Sequence, residues 1–316
     1  MRRRALLGAG VAATAMAAAT AWALRSDQKP APVSTLAELR VATGPPGAVY
    51  RALGGELVKV LAERFPRSRV SEIQTGASVD NLALLANGGT ELGITSLDST
   101  VEGLSLGTPK DVTAVARLYD SWLHVVVLQE SPLRTFADLD GRTVAAGAAG
   151  SGTRFTFNRL IAVAGIKPAL VTATQAESVE LLATGQVHAM LSLTGIPTPA
   201  VTRLAEAMPI RMIPLDSYDQ TMFDRFGELY TPATVPSSAY PGVPATATLT
   251  TPNLLLARPE LPADVIEIVA RALFTERDRI ARGHPEANRL NTRTGIATRP
   301  VRLHEGALQY FRSVKP

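Results

Sequence analysis

The chain has 316 residues and no cysteine. That absence excludes disulfides, thiolate metal sites and cysteine nucleophiles, and with them the acylated cysteine of a lipoprotein anchor. Aromatic residues make up only 5% and charged residues 19%, against 46% apolar; this is the balance of a folded α/β chain, not of a disordered one. The formal net charge of +4 has little meaning for the folded part. Arg2, Arg3 and Arg4 supply three of those charges, and without them 29 basic residues face 28 acidic ones. No Lys/Arg cluster carries interleaved aromatics, so no nucleic acid partner is expected. Catalytic motifs are missing too. Ala149 stands where a Gly-x-Ser-x-Gly elbow needs its first glycine, and no Gly-x-x-x-x-Gly-Lys motif occurs. The loop at Gly150–Thr153 lacks the rest of a dinucleotide fingerprint. His188, His284 and His304 do not form a His-Glu-x-x-His pattern, which leaves them capping or packing roles. The expectation is a non-enzyme with no cofactor and no metal.

One apolar run exists, Ala5 to Ala21, directly after the three arginines. With Ala21-Trp22-Ala23 as a small-x-small cleavage site, residues 1–23 read as an export signal. Arg3-Arg4-Ala5-Leu6-Leu7 resembles a twin-arginine start; the alternative is an uncleaved anchor in the inner membrane. No later segment is long and apolar enough to cross a bilayer. Pro30 and Pro32 mark residues 24–37 as a tether. A monomer diffusing in a periplasm is the expected state.

From there strands alternate with helices, the pattern of parallel sheets covered on both faces. A strand is predicted over 39–43. Val49, Leu53, Leu57, Val60 and Leu61 fall at helical spacing and predict a helix over 47–65, stopped by Pro66. A strand over 69–74 precedes a helix that Ser78 caps and Gly88-Gly89 end. Further strands are expected at 92–95, 112–118, 123–128, 143–147, 187–193, 210–215 and 253–257. Further helices are expected at 155–164, 178–184, 197–207, 263–281, 286–290 and 304–311. Prolines 232, 236, 241, 244 and 252 mark 216–252 as an irregular crossing.

Two small-residue loops lie between a strand and a helix. In Ala148-Ala-Gly-Ser-Gly-Thr-Arg154 the free N–H groups of a helix start, the helix dipole and Arg154 together favour an anion. Here Gly150 and Gly152 allow close approach, Ser151 and Thr153 offer hydroxyls, and Arg154 can pair with a carboxylate. The second loop, Thr43-Gly-Pro-Pro-Gly-Ala-Val-Tyr50, offers Thr43, Gly44, Gly47 and a tyrosine, Tyr50, able to stack or hydrogen-bond. Two such loops suggest a cleft that closes on a small anion from both sides. Gln74, Thr75, Ser78 and Asn81 form a third group of candidate contacts. Asp98 follows a strand, and Thr194, Gly195 and Pro197 lie at the C-terminal end of another, where open α/β sheets bind ligands. Tyr230 and Tyr240 flank the proline-rich crossing as candidate lid residues. Trp122 and His124 read as packing residues.

The chain resembles the TAXI-type solute receptors of tripartite ATP-independent periplasmic (TRAP) transporters. The resemblance is carried by Ala42-Thr43-Gly44…Gly47…Tyr50 with Gly54-Gly55, Thr75-Gly-Ala-Ser-Val-Asp-Asn-Leu82, Glu91-Leu-Gly-Ile94, Phe136-Ala-Asp-Leu-Asp-Gly-Arg-Thr-Val144, Gly150-Ser-Gly-Thr-Arg154, Gly185-Gln-Val-His-Ala189, Gly195…Pro197…Pro199-Ala200, His284-Pro-Glu-Ala287 and His304-Glu-Gly-Ala307. It implies a two-lobed type II periplasmic binding protein fold with two mixed sheets and a hinge. Lobe 1 would take 38–120 and return over 241–316, with lobe 2 over 121–240. It further implies a solute, usually a carboxylate or amino acid, handed to membrane-embedded TRAP permease subunits driven by an ion gradient. The alternatives are the binding protein of an ATP-driven importer and a sensor-linked receptor. Val49 and the Pro45-Pro46 pair depart from the family pattern, so the solute cannot be copied from a relative.

Overall fold

The computed structural model describes residues 36–107 and 111–315. The expected signal, 1–23, and the expected tether up to residue 35 lie outside the described residues. Among the described residues no helix is long and apolar enough to cross a membrane.

The first half follows the predicted alternation: β1 (Glu38–Ala42), α1 (Val49–Arg64), β2 (Arg69–Ile73), α2 (Ser78–Asn87) and β3 (Leu92–Ser96). β1 pairs in parallel with both β2 and β3. α1 buries the face the spacing gave it, with Leu53, Leu57, Val60 and Leu61 packed against α8 (Ala263–Thr275) through Val265, Ile266, Val269 and Leu273. A helix the sequence reading did not anticipate follows β3: α3 (Leu97–Ser105). Its first turn, Leu97-Asp-Ser-Thr, is polar, yet all four residues are buried, which hid the apolar stripe on which a sequence reading depends.

The larger departure is β4. Two strands were expected at 112–118 and 123–128, but Thr113–Leu128 is one strand of 16 residues. The polar step between them stays extended because Asp120 and Ser121 pair with Pro252 and Thr251. Those partners belong to β10 (Thr246–Ala257), so the expected irregular stretch over 216–252 is also partly regular. It holds α7 (Asp219–Phe226), β9 (Thr231–Val235) and the first half of β10. Pro252 is accommodated at a register shift in the β4–β10 ladder, the place in a sheet where a residue without an N–H is tolerated.

The second half comprises β5 (Thr143–Ala145), α4 (Gly152–Ala164), β6 (Ala169–Val171), α5 (Gln175–Ala183), β7 (Ala189–Thr194), α6 (Pro199–Ala207) and β8 (Ile210–Met212). β5 pairs in parallel with β6 and β7, and Phe136, Val144, Phe157, Leu160 and Leu191 share its core. Val243 and Leu249 also pack in this half, beyond residue 240. The sheet order is β2-β1-β3-β10-β4-β7-β5-β6. The parallel strands that the alternation predicts form two groups of three, and these flank the antiparallel pair β10–β4 in one continuous mixed sheet. That pair runs through both groups and is the covalent bridge between them. The C-terminal segment returns to the first half as α9 (Arg277–Ile280), α10 (Thr292–Gly295) and α11 (Glu305–Ser313), where Tyr310 and Phe311 complete the core.

Candidate ligand-binding site

The strand ends of both halves meet where β4 and β10 cross. After β5 the chain turns at Gly147, whose φ of +76° and close approach to Ser151 Oγ (2.6 Å from an added Cβ) leave room for glycine alone. Ser151 then caps α4: its Oγ accepts the Arg154 N–H (3.1 Å) and its carbonyl accepts that of Phe155 (3.2 Å). The N–H groups of Gly152 and Thr153 have no acceptor within the helix. Thr153 Oγ1 accepts the Leu193 N–H of β7 (3.0 Å), which fixes the loop to the sheet.

α2 faces this turn from the first half. Ser78 was expected to cap it, but Ala77 occupies the N-cap position, with φ 103°. Ser78 is the first helical residue, and its Oγ instead accepts the Ser96 N–H (3.0 Å). The first-turn N–H groups of Val79 and Asp80 cross to the other half and donate to the Gly150 carbonyl (3.1 and 3.3 Å). Asp80 itself accepts the Gly76 N–H (2.8 Å). The start of α1 brings Tyr50, whose Oη donates to Asn253 Oδ1 (2.5 Å); Asn253 Nδ2 in turn donates to the Tyr119 carbonyl (3.0 Å) and Ser121 Oγ (2.8 Å). Burial pushes the Tyr50 hydroxyl well above its ordinary range, so it is a neutral donor. The start of α5 brings Thr174, capped reciprocally with Glu177, and Gln175, whose Nε2 donates to Ser192 Oγ (2.8 Å).

Between these helix starts lies a small cavity of about 50 Å³, open at one side. Pro45, Ala48, Val49, Ala77 and Leu193 give it apolar wall. Ser78, Ser151, Thr153, Thr174, Thr194, Gln175, Tyr50 and Tyr119 give it polar groups. None of its lining residues carries a charge at neutral pH. The positive ends of α1, α2, α4 and α5 all reach it.

Of the candidate contacts, Tyr50, Ser78, Ser151, Gly152, Thr153 and Thr194 line this cavity. The others lie elsewhere. The Arg154 side chain is outside the cavity wall: its Nη2 donates to Thr172 Oγ1 (2.9 Å), and its Nε is buried without a partner. Burial lowers its pKa. Thr43 Oγ1 donates to Glu72 (2.7 Å), and Gly44 packs on Tyr50 Cβ. Gly47 supplies a positive-φ turn. Gln74 accepts from Arg51 at the surface, and Thr75 donates to Asn81 (2.6 Å). Asn81 is wholly buried, tying Thr43 O to Ile94 O through its Nδ2 (2.7 Å each). Gly150 contributes its backbone to the seam described above.

Asp98 is buried between the halves, accepting from Thr156 Oγ1 (2.5 Å) and Tyr230 Oη (2.8 Å). Beside it Arg159 donates to Glu102 (2.7 Å). Gly195 and Pro197 form the opposite seam. Glu286 presses on Gly195 and accepts the Ile196 N–H (2.8 Å), and His284 Nε2 meets the Pro197 carbonyl (3.0 Å). Tyr230 and Tyr240 are not lids but buried side chains; Tyr240 Oη meets His124 Nε2 (2.8 Å) and accepts the Thr198 N–H (3.1 Å). His284 and His304 accept the N–H groups of Glu286 and Gly306 as helix caps. Among the described residues no cluster of His, Asp and Glu could hold a metal. The sequence reading missed Tyr119, Thr174 and Gln175. The last two carried a signal, Thr174-x-x-Glu177, a capping box that starts α5 before the expected Ser178.

The structure is similar to that of a putative L-cystine ABC transporter protein from Listeria monocytogenes, at 12% identity over 80% of this chain and 98% of that one, with a TM-score of 0.53. It is also similar to a Xanthomonas citri protein solved bound to ATP, at 11% identity over 89% and 100%, with a TM-score of 0.53. A Bordetella bronchiseptica RB50 protein matches at 18% identity over 89% and 90%, with a TM-score of 0.51. These likenesses establish the fold as the two-lobed type II periplasmic binding protein fold. Residues 41–314 match the NMT1-like family, and with nearly the whole folded chain inside that match, the protein belongs to the NMT1-like family.

Proposed function

We propose that the protein is a periplasmic solute receptor that captures a small anion between two lobes and hands it to a membrane transporter. The observation that carries this reading is the convergence of four helix starts on a cavity with no charged side chain. The free first-turn N–H groups of α1, α4 and α5 and the helix dipoles stabilise a buried negative charge, each helix end contributing about 0.3–1 kcal/mol when exposed and more when water is excluded; the Val79 and Asp80 N–H groups of α2 are already taken by the Gly150 carbonyl. A cation there would meet the same dipoles with the wrong sign. A carboxylate or a sulfonate satisfies this geometry through two or more oxygens. On this reading one lobe is 38–120 with the chain from the second half of β10 onward, the other runs from 121 through the first half of β10, and the hinge is at β4 and β10. The Val79 and Asp80 bonds to Gly150, the Asp98 cluster and the Glu286–Ile196 bond then hold the closed form.

An ATP-driven importer is the partner this reading favours, because the similar Listeria monocytogenes protein is a putative L-cystine ABC transporter. The segments shared with TAXI receptors support a TRAP permease as the second reading. A neighbouring gene for a nucleotide-binding ATPase would favour the first, and one for a fused large permease the second. The receptor itself is tested by thermal unfolding of the protein from Leu24 onward with carboxylates, sulfonates, amino acids and neutral sugars. A solute at 100 times its Kd adds about 2.7 kcal/mol of stability and raises the melting point by on the order of 5 °C. Shifts confined to uncharged compounds would overturn the anion assignment.

A further inference from the structure

We propose that the solute is bifunctional: an anion that also bears an uncharged hydroxyl or amide group, and no ammonium group. This rests on the anion-receptor reading and narrows it. Two polar atoms of residues in the cavity wall are buried without a hydrogen-bond partner, Tyr119 Oη and Gln175 Oε1. Neither can turn elsewhere. Tyr119 is 2% exposed, its ring edge lies 3.0 Å from where a Gly195 Cβ would stand, and its own carbonyl is held by Asn253. The Gln175 amide is pinned through Nε2 to Ser192 Oγ, which leaves Oε1 as a bare acceptor. A buried polar group without a partner costs about 1–3 kcal/mol. Water can serve both atoms while the cleft is open, but a solute that closes it must replace that water. A plain carboxylate can accept from the Tyr119 hydroxyl but has no proton to offer Gln175 Oε1. A hydroxyl or carboxamide supplies the donor that Gln175 lacks and a partner for the Tyr119 hydroxyl.

An ammonium group would also donate to Gln175, but it needs a counter-charge. No carboxylate lines the cavity. The nearby ones are committed: Asp80 to the Gly76 N–H, Glu286 to the Ile196 N–H and to Arg289 (2.7 Å), Asp98 to Thr156 and Tyr230. The same helix dipoles that favour the anion oppose a cation beside it.

The test is calorimetric titration of the protein with a matched set: pentanoate, 5-hydroxypentanoate, 4-carbamoylbutanoate, 5-aminopentanoate, and the neutral 5-hydroxypentanamide. The hydroxyl and carboxamide anions are expected to bind about tenfold or more tighter than pentanoate and 5-aminopentanoate. In Gln175→Leu and Tyr119→Phe that preference is expected to fall below about threefold. Thermal unfolding of each variant without solute separates lost recognition from a damaged fold. Equal binding of all four charged compounds, tightest binding of 5-aminopentanoate, or a preference that survives in both variants would overturn the proposal and leave the anion reading intact. If 5-hydroxypentanamide binds as tightly as its anionic counterpart, the anion reading fails while the role of Tyr119 and Gln175 stands. Binding by none of the set at millimolar concentration overturns both.

Discussion

Gly150→Ala adds one carbon at the seam between the two halves, and the structure gives the cost. The new Cβ would stand 1.9 Å from Asp80 Oδ1 and 2.4 Å from its Cγ. Asp80 has a short side chain held by the Gly76 N–H, so the clash is not absorbed by a flexible tip. Either Asp80 gives up that charged hydrogen bond, worth about 1.5–3 kcal/mol, or the halves part and the Val79 and Asp80 N–H groups lose the Gly150 carbonyl, about 0.5–1.5 kcal/mol each. Both routes weaken the closed form by about 2 kcal/mol, which is about a 30-fold loss of affinity where binding requires closure. The assay is calorimetric titration with the tightest anion from the thermal screen. Closure is read in parallel from spin labels on Lys59→Cys and Lys167→Cys; the absence of native cysteine makes this labelling clean. Asp80→Ala removes the obstacle, so the Asp80→Ala/Gly150→Ala double variant should recover affinity to within about threefold of Asp80→Ala alone. Wild-type affinity and an unchanged label distance in Gly150→Ala would refute the reasoning, and so would a double variant no better than Gly150→Ala.

His124 is fully buried, and burial lowers its pKa to about 4. Between about pH 6.5 and 4 the unfolded chain binds the proton and the folded one does not, so stability falls with falling pH by about 1.4 kcal/mol per unit from this group. His124→Gln should flatten the stability profile in that window, read by urea unfolding at several pH values; an unchanged slope would show that the group titrates normally. Arg154→Ala should change solute affinity by less than about threefold, because the guanidinium is engaged with Thr172 outside the cavity wall; a tenfold loss would return it to the anion. Leu57→Ala in the buried face of α1 should cost about 2–5 kcal/mol in denaturant unfolding, and a loss under 1 kcal/mol would mean that the α1–α8 core is looser than its packing.

Legibility followed the range of the interactions. α1 was readable because five apolar residues at helical spacing need no knowledge of a partner. The glycine turns at Gly147–Gly152 were readable because close backbone approach leaves few residue choices. β4 was split in the reading because Asp120 and Ser121 look like a break until Pro252 and Thr251, more than a hundred residues away, are placed beside them. α3 was missed because its polar first turn is buried by a neighbouring half, and polarity alone reads as surface. Arg154 sat in the right loop, but its guanidinium is engaged with Thr172 outside the cavity wall.

By itself, then, the sequence determined what depends on local covalent geometry and short-range spacing. It specified the alternation of strands and helices, the loops able to bare helix N-termini, and the absence of cysteine and so of thiol chemistry. The tertiary structure decided which residues share a wall. It set four helix starts from distant segments around one uncharged cavity, placed Arg154, Asp98, Tyr230 and Tyr240 outside its wall, and left Tyr119 Oη and Gln175 Oε1 in that wall without hydrogen-bond partners. Side-chain direction and hydrogen-bond satisfaction depend on what the other half of the molecule places nearby, and no run of neighbouring residues encodes that.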